Sequence, residues 1–159
     1  AVTLSALRAR VEGLVAVVSA RGNRTTTQYA LDRLADWCRT ELLPHAHAEE
    51  STLYRPACDT ESGSLLVEGL LEEHRTIYRL VDELALATEP VRAVALAGAL
   101  EAVVASHLVK ENEQLLPLLG GGAWGAQVVA GDEAGGHGVN LERVTDLGTP
   151  RSFLTGHSI

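Results

Sequence analysis

The chain has 159 residues, of which 46% are hydrophobic and 21% are charged, and this size suits one globular domain with its own core. The 13 basic residues against 21 acidic residues give a net charge of −8, which argues against nucleic acid or an anionic membrane surface as a partner. The longest apolar run near the N-terminus, residues 14–18, is too short for a signal sequence or a membrane span. We therefore expect a cytoplasmic protein.

The first half of the chain predicts two helices. The first runs from about Thr3 to Ala20, and Gly22 is its predicted C-cap. The second begins near Thr27 and ends by Pro56, and Pro44 either kinks it or opens a new first turn. Apolar residues recur in both at three- and four-residue spacing, which indicates one buried stripe per helix. The stripes are Leu4, Leu7, Val11, Leu14, Val15 and Val18, then Leu31, Leu34, Ala35, Cys38 and Leu42.

Two further helices follow a turn-rich loop over residues 59–63. Ser64 is the predicted N-cap of the third helix, and the fourth runs from about Pro90 to Leu119. Their stripes are Leu66, Leu70, His74, Ile77, Leu80, Val81 and Leu84, then Val94, Ala97, Leu100, Val104, His107, Leu108, Glu111 and Leu115.

Four long amphipathic helices with short connections predict an all-α, antiparallel up-down four-helix bundle over residues 1–119. Residues 120–159 hold 10 of the 15 glycines and form a C-terminal extension with one weak helical patch, residues 124–129. Its histidines, His137 and His157, have no partner at helical spacing. The two cysteines do not suggest a disulfide framework: Cys38 is predicted to be a core residue and Cys58 a helix-end thiol.

Ionisable residues interrupt three of the four apolar stripes. His45 and Glu49 are four apart on the second helix, as are His107 and Glu111 on the fourth, so each pair shares a face. His74 lies on the stripe of the third helix. Burying such groups without a partner is costly, and a metal ion removes that cost. Carboxylates with imidazoles suit iron, manganese or zinc.

Three segments resemble the signatures of the hemerythrin-like family, also called the HHE cation-binding domain. They are His-Ala-His-Ala-Glu-Glu-Ser-Thr-Leu-Tyr-Arg-Pro at residues 45–56, Glu-Glu-His-Arg at residues 72–75, and His-Leu-Val-Lys-Glu-Asn-Glu-Gln-Leu-Leu-Pro at residues 107–117. The family pattern is a His on the first helix, His-x-x-x-Glu on the second, His on the third and His-x-x-x-Glu on the fourth. The resemblance covers roughly residues 1–119.

The resemblance implies a non-haem di-iron centre whose two ions share an oxo or hydroxo bridge, with manganese or zinc less favoured. His45, Glu49, His74, His107 and Glu111 would be its ligands. Both carboxylates would bridge the ions, with His74 and His107 on one ion and His45 on the other. The implied activity is to react with or sense O₂, peroxide or nitric oxide, so the expected partner is a small diatomic or peroxide ligand.

One departure from the family pattern concerns the first helix, which contains no histidine. Leu4 is the best match for the missing ligand. The ion held by His45 would then be more open to water or an exogenous ligand. Tyr54 lies five residues after Glu49, about 140° round an α-helix, so it either replaces the missing histidine or is a core or interfacial tyrosine.

Nearby polar residues are interpreted as follows. His47, Glu50 and Glu113 point away from the site and are solvated, and Glu73 is either solvated or an acceptor for an imidazole N–H.

Two other functions remain open: an iron store or sensor without turnover, and a metal-free helical scaffold that has lost the site. Whether the protein turns over a substrate is undecided, and its oligomeric state is monomer or homodimer.

Overall fold

The computed structural model describes residues 4–120, which form four long helices joined by short loops. The first helix is Leu4–Ser19 and the third is Glu61–Ala85. The second comprises the successive segments Arg24–Trp37, Cys38–Leu42, Leu43–Glu49, Glu50–Tyr54 and Arg55–Ala57, and the fourth comprises Pro90–Lys110, Glu111–Leu115 and Leu116–Gly120. The predicted all-α class is confirmed. The predictions for the glycine-rich extension, including residues 124–129, His137 and His157, lie outside the described residues.

The four helices pack as an antiparallel bundle. The first packs against the second and the fourth, and the third packs against the same two neighbours. An ion pair of 3.0 Å between Arg8 and Glu101 joins the beginning of the first helix to the middle of the fourth. At the opposite end of the bundle, Arg92 pairs with Glu83 across the loop between the third and fourth helices. These pairings confirm the up-down topology.

Two predicted helix caps are wrong by one to four residues. The left-handed residue after the first helix is Arg21, with φ 52°, and not Gly22. The N–H groups of Arg21 and Gly22 donate to the carbonyls of Val18 and Val17, which is the Schellman arrangement. Gly22 is needed for space, because a Cβ there would lie 2.8 Å from Val17 Cγ1.

The third helix begins before the predicted cap Ser64. Thr60 is the N-cap, and its Oγ1 accepts a hydrogen bond from the N–H of Gly63 at 3.1 Å. Thr60 therefore already satisfies a free N–H of the first turn, and Ser64 lies inside the helix. Gly63 has no alternative there, because a Cβ would lie 2.0 Å from the carbonyl oxygen of Ala57.

The second and fourth helices contain three π-helical segments, each followed by a proline at the same spacing. The segments Cys38–Leu42, Glu50–Tyr54 and Glu111–Leu115 precede Pro44, Pro56 and Pro117 by two positions. Proline has no N–H for the carbonyl four residues before it, and its ring collides with that carbonyl. In a π turn each N–H bonds to the carbonyl five residues before it, so the carbonyls near the proline can pair with N–H groups other than the missing one. Pro44 lies in the first turn of the α-helical segment Leu43–Glu49, which agrees with the second predicted alternative, and the helical backbone continues through it.

Two apolar clusters fill the bundle. The larger is almost entirely aliphatic and draws on all four helices. The smaller is formed by Tyr54, Ala57, Val67, Leu70 and Leu115, to which the first helix contributes nothing. Cys38 is fully buried in the larger cluster, as predicted, and burial raises the pKa of its thiol to about 12. Cys58 is exposed with a free thiol.

The fourth helix is the most apolar. By length and composition alone, Pro90–Gly120 could cross a membrane, with a mean hydropathy of 1.5 over its most apolar window. The core helix of a soluble bundle meets the same criterion. In the structure this helix packs along both the first and the third.

Candidate metal centre

The ionisable residues of three helices meet between the two apolar clusters. On the third helix, His74 separates Leu70 of the smaller cluster from Ile77 of the larger. On the second helix Glu49 occupies the corresponding place, as do His107 and Glu111 on the fourth. All four side chains are buried, with 1–6% of each residue exposed. The bundle thus holds a layer of charge across its interior.

Glu49 joins histidines from two different helices. One of its oxygens, Oε1, lies 2.7 Å from Nε2 of His45, and the other, Oε2, lies 3.6 Å from Nε2 of His74. The i,i+4 spacing predicted the first contact, and only the packing of the second helix against the third produces the second. A carboxylate placed in this way can serve two cations, one on each oxygen.

His74 and His107 point their Nε2 atoms at each other across the bundle, 3.0 Å apart. Ligand atoms of Glu49, His74 and His107 all lie within 4.8 Å of one another. Glu111 completes the group, with Oε1 3.4 Å from Nε2 of His107. The structure therefore brings together all five residues that the sequence singled out.

Tyr54 also belongs to the cluster. Its hydroxyl donates to Oε1 of Glu111 at 2.8 Å and lies 3.2 Å from Nε2 of both His74 and His107. The α-helical angle of about 140° from Glu49 does not apply, because residues 50–54 form a π turn that brings positions five apart onto one face. Tyr54 thus lies on the His74 and His107 side of the site.

A carboxylate holds the outer nitrogen of each central histidine. Nδ1 of His74 lies 2.8 Å from Oε1 of Glu50, and Nδ1 of His107 lies 3.2 Å from Oε2 of Glu73. The expectation that Glu50 points away from the site is wrong, because the third helix packs against its side of the second. Of the two predicted roles of Glu73, the structure supports the acceptor of an imidazole N–H, since its carboxylate lies beside Nδ1 of His107. Metal-bound histidines usually need such an acceptor.

The donor set fits a cation. With each Nδ1 proton directed at a carboxylate, the facing Nε2 atoms of His74 and His107 present lone pairs to each other. The single hydroxyl proton of Tyr54 cannot satisfy both nitrogens and Glu111. A positive charge between these atoms stabilises the arrangement, since buried charges are paired or coordinate metals.

Protonation supplies that charge when a metal does not. The hydrogen bond to Glu49 raises the pKa of His45. Burial lowers the pKa of His74, but Glu49 and Glu50 more than offset this, so the pKa lies above its usual value. Burial likewise opposes ionisation of Glu49, yet hydrogen bonds from His45 and His74 bring its pKa down to about 2. Burial and Glu111 raise the pKa of Tyr54, so its phenol is protonated.

Exposure is uneven around the cluster. A quarter of the His45 side chain, 25%, is accessible to solvent, against 1% for His74 and 4% for His107. Leu4, the expected position of the missing first-helix ligand, is buried in the larger apolar cluster. The His45 edge is therefore the more open side of the site.

Other polar residues follow the sequence expectations only in part. His47 and Glu113 are exposed, as predicted. Tyr78 was missed: its hydroxyl donates to Oε1 of Glu50 at 2.8 Å and lies 2.7 Å from Nδ1 of His47. Its position four residues after His74, on the same face, was the available signal.

A helical bundle with a buried layer of histidines and carboxylates defines a four-helix-bundle metal-binding protein. The family described as the hemerythrin HHE cation binding domain matches residues 5–119, most of the chain. The chain belongs to this family, whose domain binds metal cations. No curated protein and no solved structure gives a significant match.

Proposed function

We propose that this protein binds two non-haem iron ions and uses them to react with or sense O₂, peroxide or nitric oxide in the cytoplasm. The observation that carries the proposal is the position of Glu49, whose two oxygens face His45 of the second helix and His74 of the third. A bridging carboxylate is the usual device by which helical bundles hold two ions.

The residues divide into two sets on this proposal. His74, His107, Glu111 and Tyr54, whose hydroxyl contacts the other three side chains, would hold one ion. His45 and one oxygen of Glu49 would hold the other. Iron suits this mixture of imidazole and carboxylate ligands, and when bound it supplies electrons and open coordination positions.

The protein itself would bind the ions, shield the inner histidines from bulk water and leave one side of the site open to small molecules. The apolar clusters on either side of the layer keep bulk water from His74 and His107. His45, a quarter of whose side chain is exposed, forms the edge of the site that a small molecule from solvent would meet first. The Tyr54 hydroxyl donates its proton to Oε1 of Glu111 at 2.8 Å, which keeps that proton inside the site.

The direct test is the number of metal ions per chain. Protein loaded anaerobically with ferrous iron is expected to retain two ions after removal of free metal, and His45→Ala is expected to retain one. Two ions in both proteins would contradict the assignment of His45. Failure of the wild-type protein to retain any ion would favour the metal-free scaffold.

A second function, an iron store or sensor without turnover, is favoured by the incomplete ligand set of the His45 ion. Repeated additions of peroxide to the iron-loaded protein separate the alternatives. Consumption of many equivalents per chain indicates an enzyme, while a single stoichiometric reaction indicates a sensor or store.

A further inference from the structure

The two central histidines have different support behind them. Nδ1 of His74 faces Glu50, and the same carboxylate oxygen also accepts the hydroxyl of Tyr78. Neither partner carries a fixed positive charge. Glu50 is therefore held in place at His74 with its negative charge retained.

The support behind His107 contains a cation. Nδ1 of His107 faces Oε2 of Glu73, while Oε1 of Glu73 forms an ion pair with Lys110. Lys110 is one turn further along the fourth helix than His107, so both reach the same carboxylate. The ammonium group neutralises much of the charge that Glu73 would otherwise direct toward the imidazole.

We propose, given the metal centre proposed above, that Glu50 makes His74 a strong electron donor to the metal and Lys110 makes His107 a weak one. A carboxylate on the outer N–H of an imidazole increases the basicity of the ligating nitrogen, and loss of such a partner typically changes metal affinity 10–100-fold. Tyr78 and Lys110 are positioning residues, which act on the metal only through Glu50 and Glu73. The consequence is a site whose two inner imidazoles bind one ion unequally.

Opposite effects are expected from neutralising the two supports. Glu50→Gln removes the negative charge behind His74 and disfavours the ferric state. Lys110→Met exposes the full charge of Glu73 to His107 and favours it. Glu50→Gln is expected to lower the ferric-to-ferrous affinity ratio about tenfold, which raises the midpoint potential by about 59 mV for a one-electron couple. Lys110→Met is expected to raise that ratio about tenfold and to lower the potential by the same amount.

The matched controls lie on the exposed surface. Glu72→Gln removes a carboxylate paired with Arg75, and Arg92→Met removes a cation paired with Glu83, both away from the ligands. Neither is expected to move the midpoint potential of the iron-loaded protein. Lys110→Arg, which keeps the charge, is expected to restore the wild-type potential.

Cobalt(II) provides the second readout. In the cobalt-loaded protein, the exchangeable Nδ1 protons of His74 and His107 should give separate paramagnetically shifted resonances. Glu50→Gln should move one resonance and Lys110→Met the other. Shifts of potential in the same direction, or of no more than the controls, would overturn the proposal. Absence of cobalt and iron binding in the wild-type protein would instead remove the proposed function, and this inference with it.

Discussion

Nε2 of His74 lies 3.0 Å from Nε2 of His107, although the two residues are 33 positions apart and on different helices. Nδ1 of each histidine faces a carboxylate, which keeps a proton on that nitrogen. The two facing Nε2 atoms of the neutral rings are then both unprotonated. The pair is the centre of the candidate metal site.

Glu111→Gln is expected to lower metal affinity at least tenfold, because it removes a buried negative charge 3.4 Å from Nε2 of His107. Glu113→Gln is the matched control, two residues away on the same π segment and exposed. Competition with a calibrated chelator measures both affinities. If both variants lost the same amount of metal affinity, the overall negative charge of the helix would determine binding, and Glu111 would have no specific role as a ligand.

Tyr54→Phe is expected to destabilise the metal-free protein by about 1–3 kcal/mol, because it leaves buried Glu111 without its hydroxyl donor. If the phenolate is also a ligand, the ferric-loaded variant loses a visible charge-transfer band. Tyr29→Phe, at an exposed position, should leave stability and spectrum unchanged. Urea unfolding and absorption spectroscopy report the two effects separately, and a wild-type-like Tyr54→Phe on both would refute the placement of this hydroxyl.

The π turn at residues 50–54 predicts different tolerance to insertion and deletion. Deleting Thr52 leaves Tyr54 four residues after Glu49, which is the α-helical spacing for one face, so metal binding should persist. Inserting one alanine after Thr52 makes the spacing six and turns the phenol away from Glu111. Metal per chain, with circular dichroism to verify folding, decides between the two. Equal loss in both variants would show that residue spacing does not control the position of Tyr54.

The pH dependence of stability should have opposite signs with and without metal. His45 and His74 have folded-state pKa values above the ordinary 6.5, so their contribution is present below that value and is lost as the pH rises through the raised pKa. Chelator-treated protein should thus become less stable as the pH rises above about 6.5, the ordinary pKa of histidine. Metal binding strengthens over the same range, because its ligands must be deprotonated.

Denaturant unfolding at several pH values, with chelator and with zinc, measures this crossover. His45→Gln should flatten the profile of the chelator-treated protein. At acid pH the loss comes from Glu49, whose pKa of about 2 makes its contribution disappear as the pH falls from about 4.5 toward 2. A chelator-treated protein that gains stability above pH 7 would contradict the charge arrangement described.

Gly63→Ala and Gly69→Ala, both on the third helix, should change stability in opposite directions. A Cβ at Gly63 would lie 2.0 Å from the carbonyl oxygen of Ala57, so the second and third helices must separate where they meet. Position 69 is open space, and alanine there should stabilise the helix by about 0.5–1 kcal/mol. Urea midpoints compare the two directly, and stabilisation by Gly63→Ala would contradict this close approach.

Much of this architecture was predictable from local spacing. Apolar residues at three- and four-residue intervals determine which face of each helix is buried, and the i,i+4 pairs His45–Glu49 and His107–Glu111 follow from the same geometry. The prolines at positions 44, 56 and 117 also carried information about the π turns, since each removes a donor from the ladder. The prediction assumed ordinary α-helical geometry, which placed Tyr54 about 140° away from Glu49 and not on the same face.

The sequence by itself determined the four helices and the five ligand candidates, because periodicity and pair spacing are properties of one helix at a time. Only the tertiary structure decided which carboxylates support which histidines. Glu50 contacts His74, and Glu73 contacts His107 and Lys110. These contacts join different helices, and the paired residues are 24–37 positions apart in the chain. Such contacts depend on how two helices rotate and settle against each other, which no residue spacing within either helix encodes.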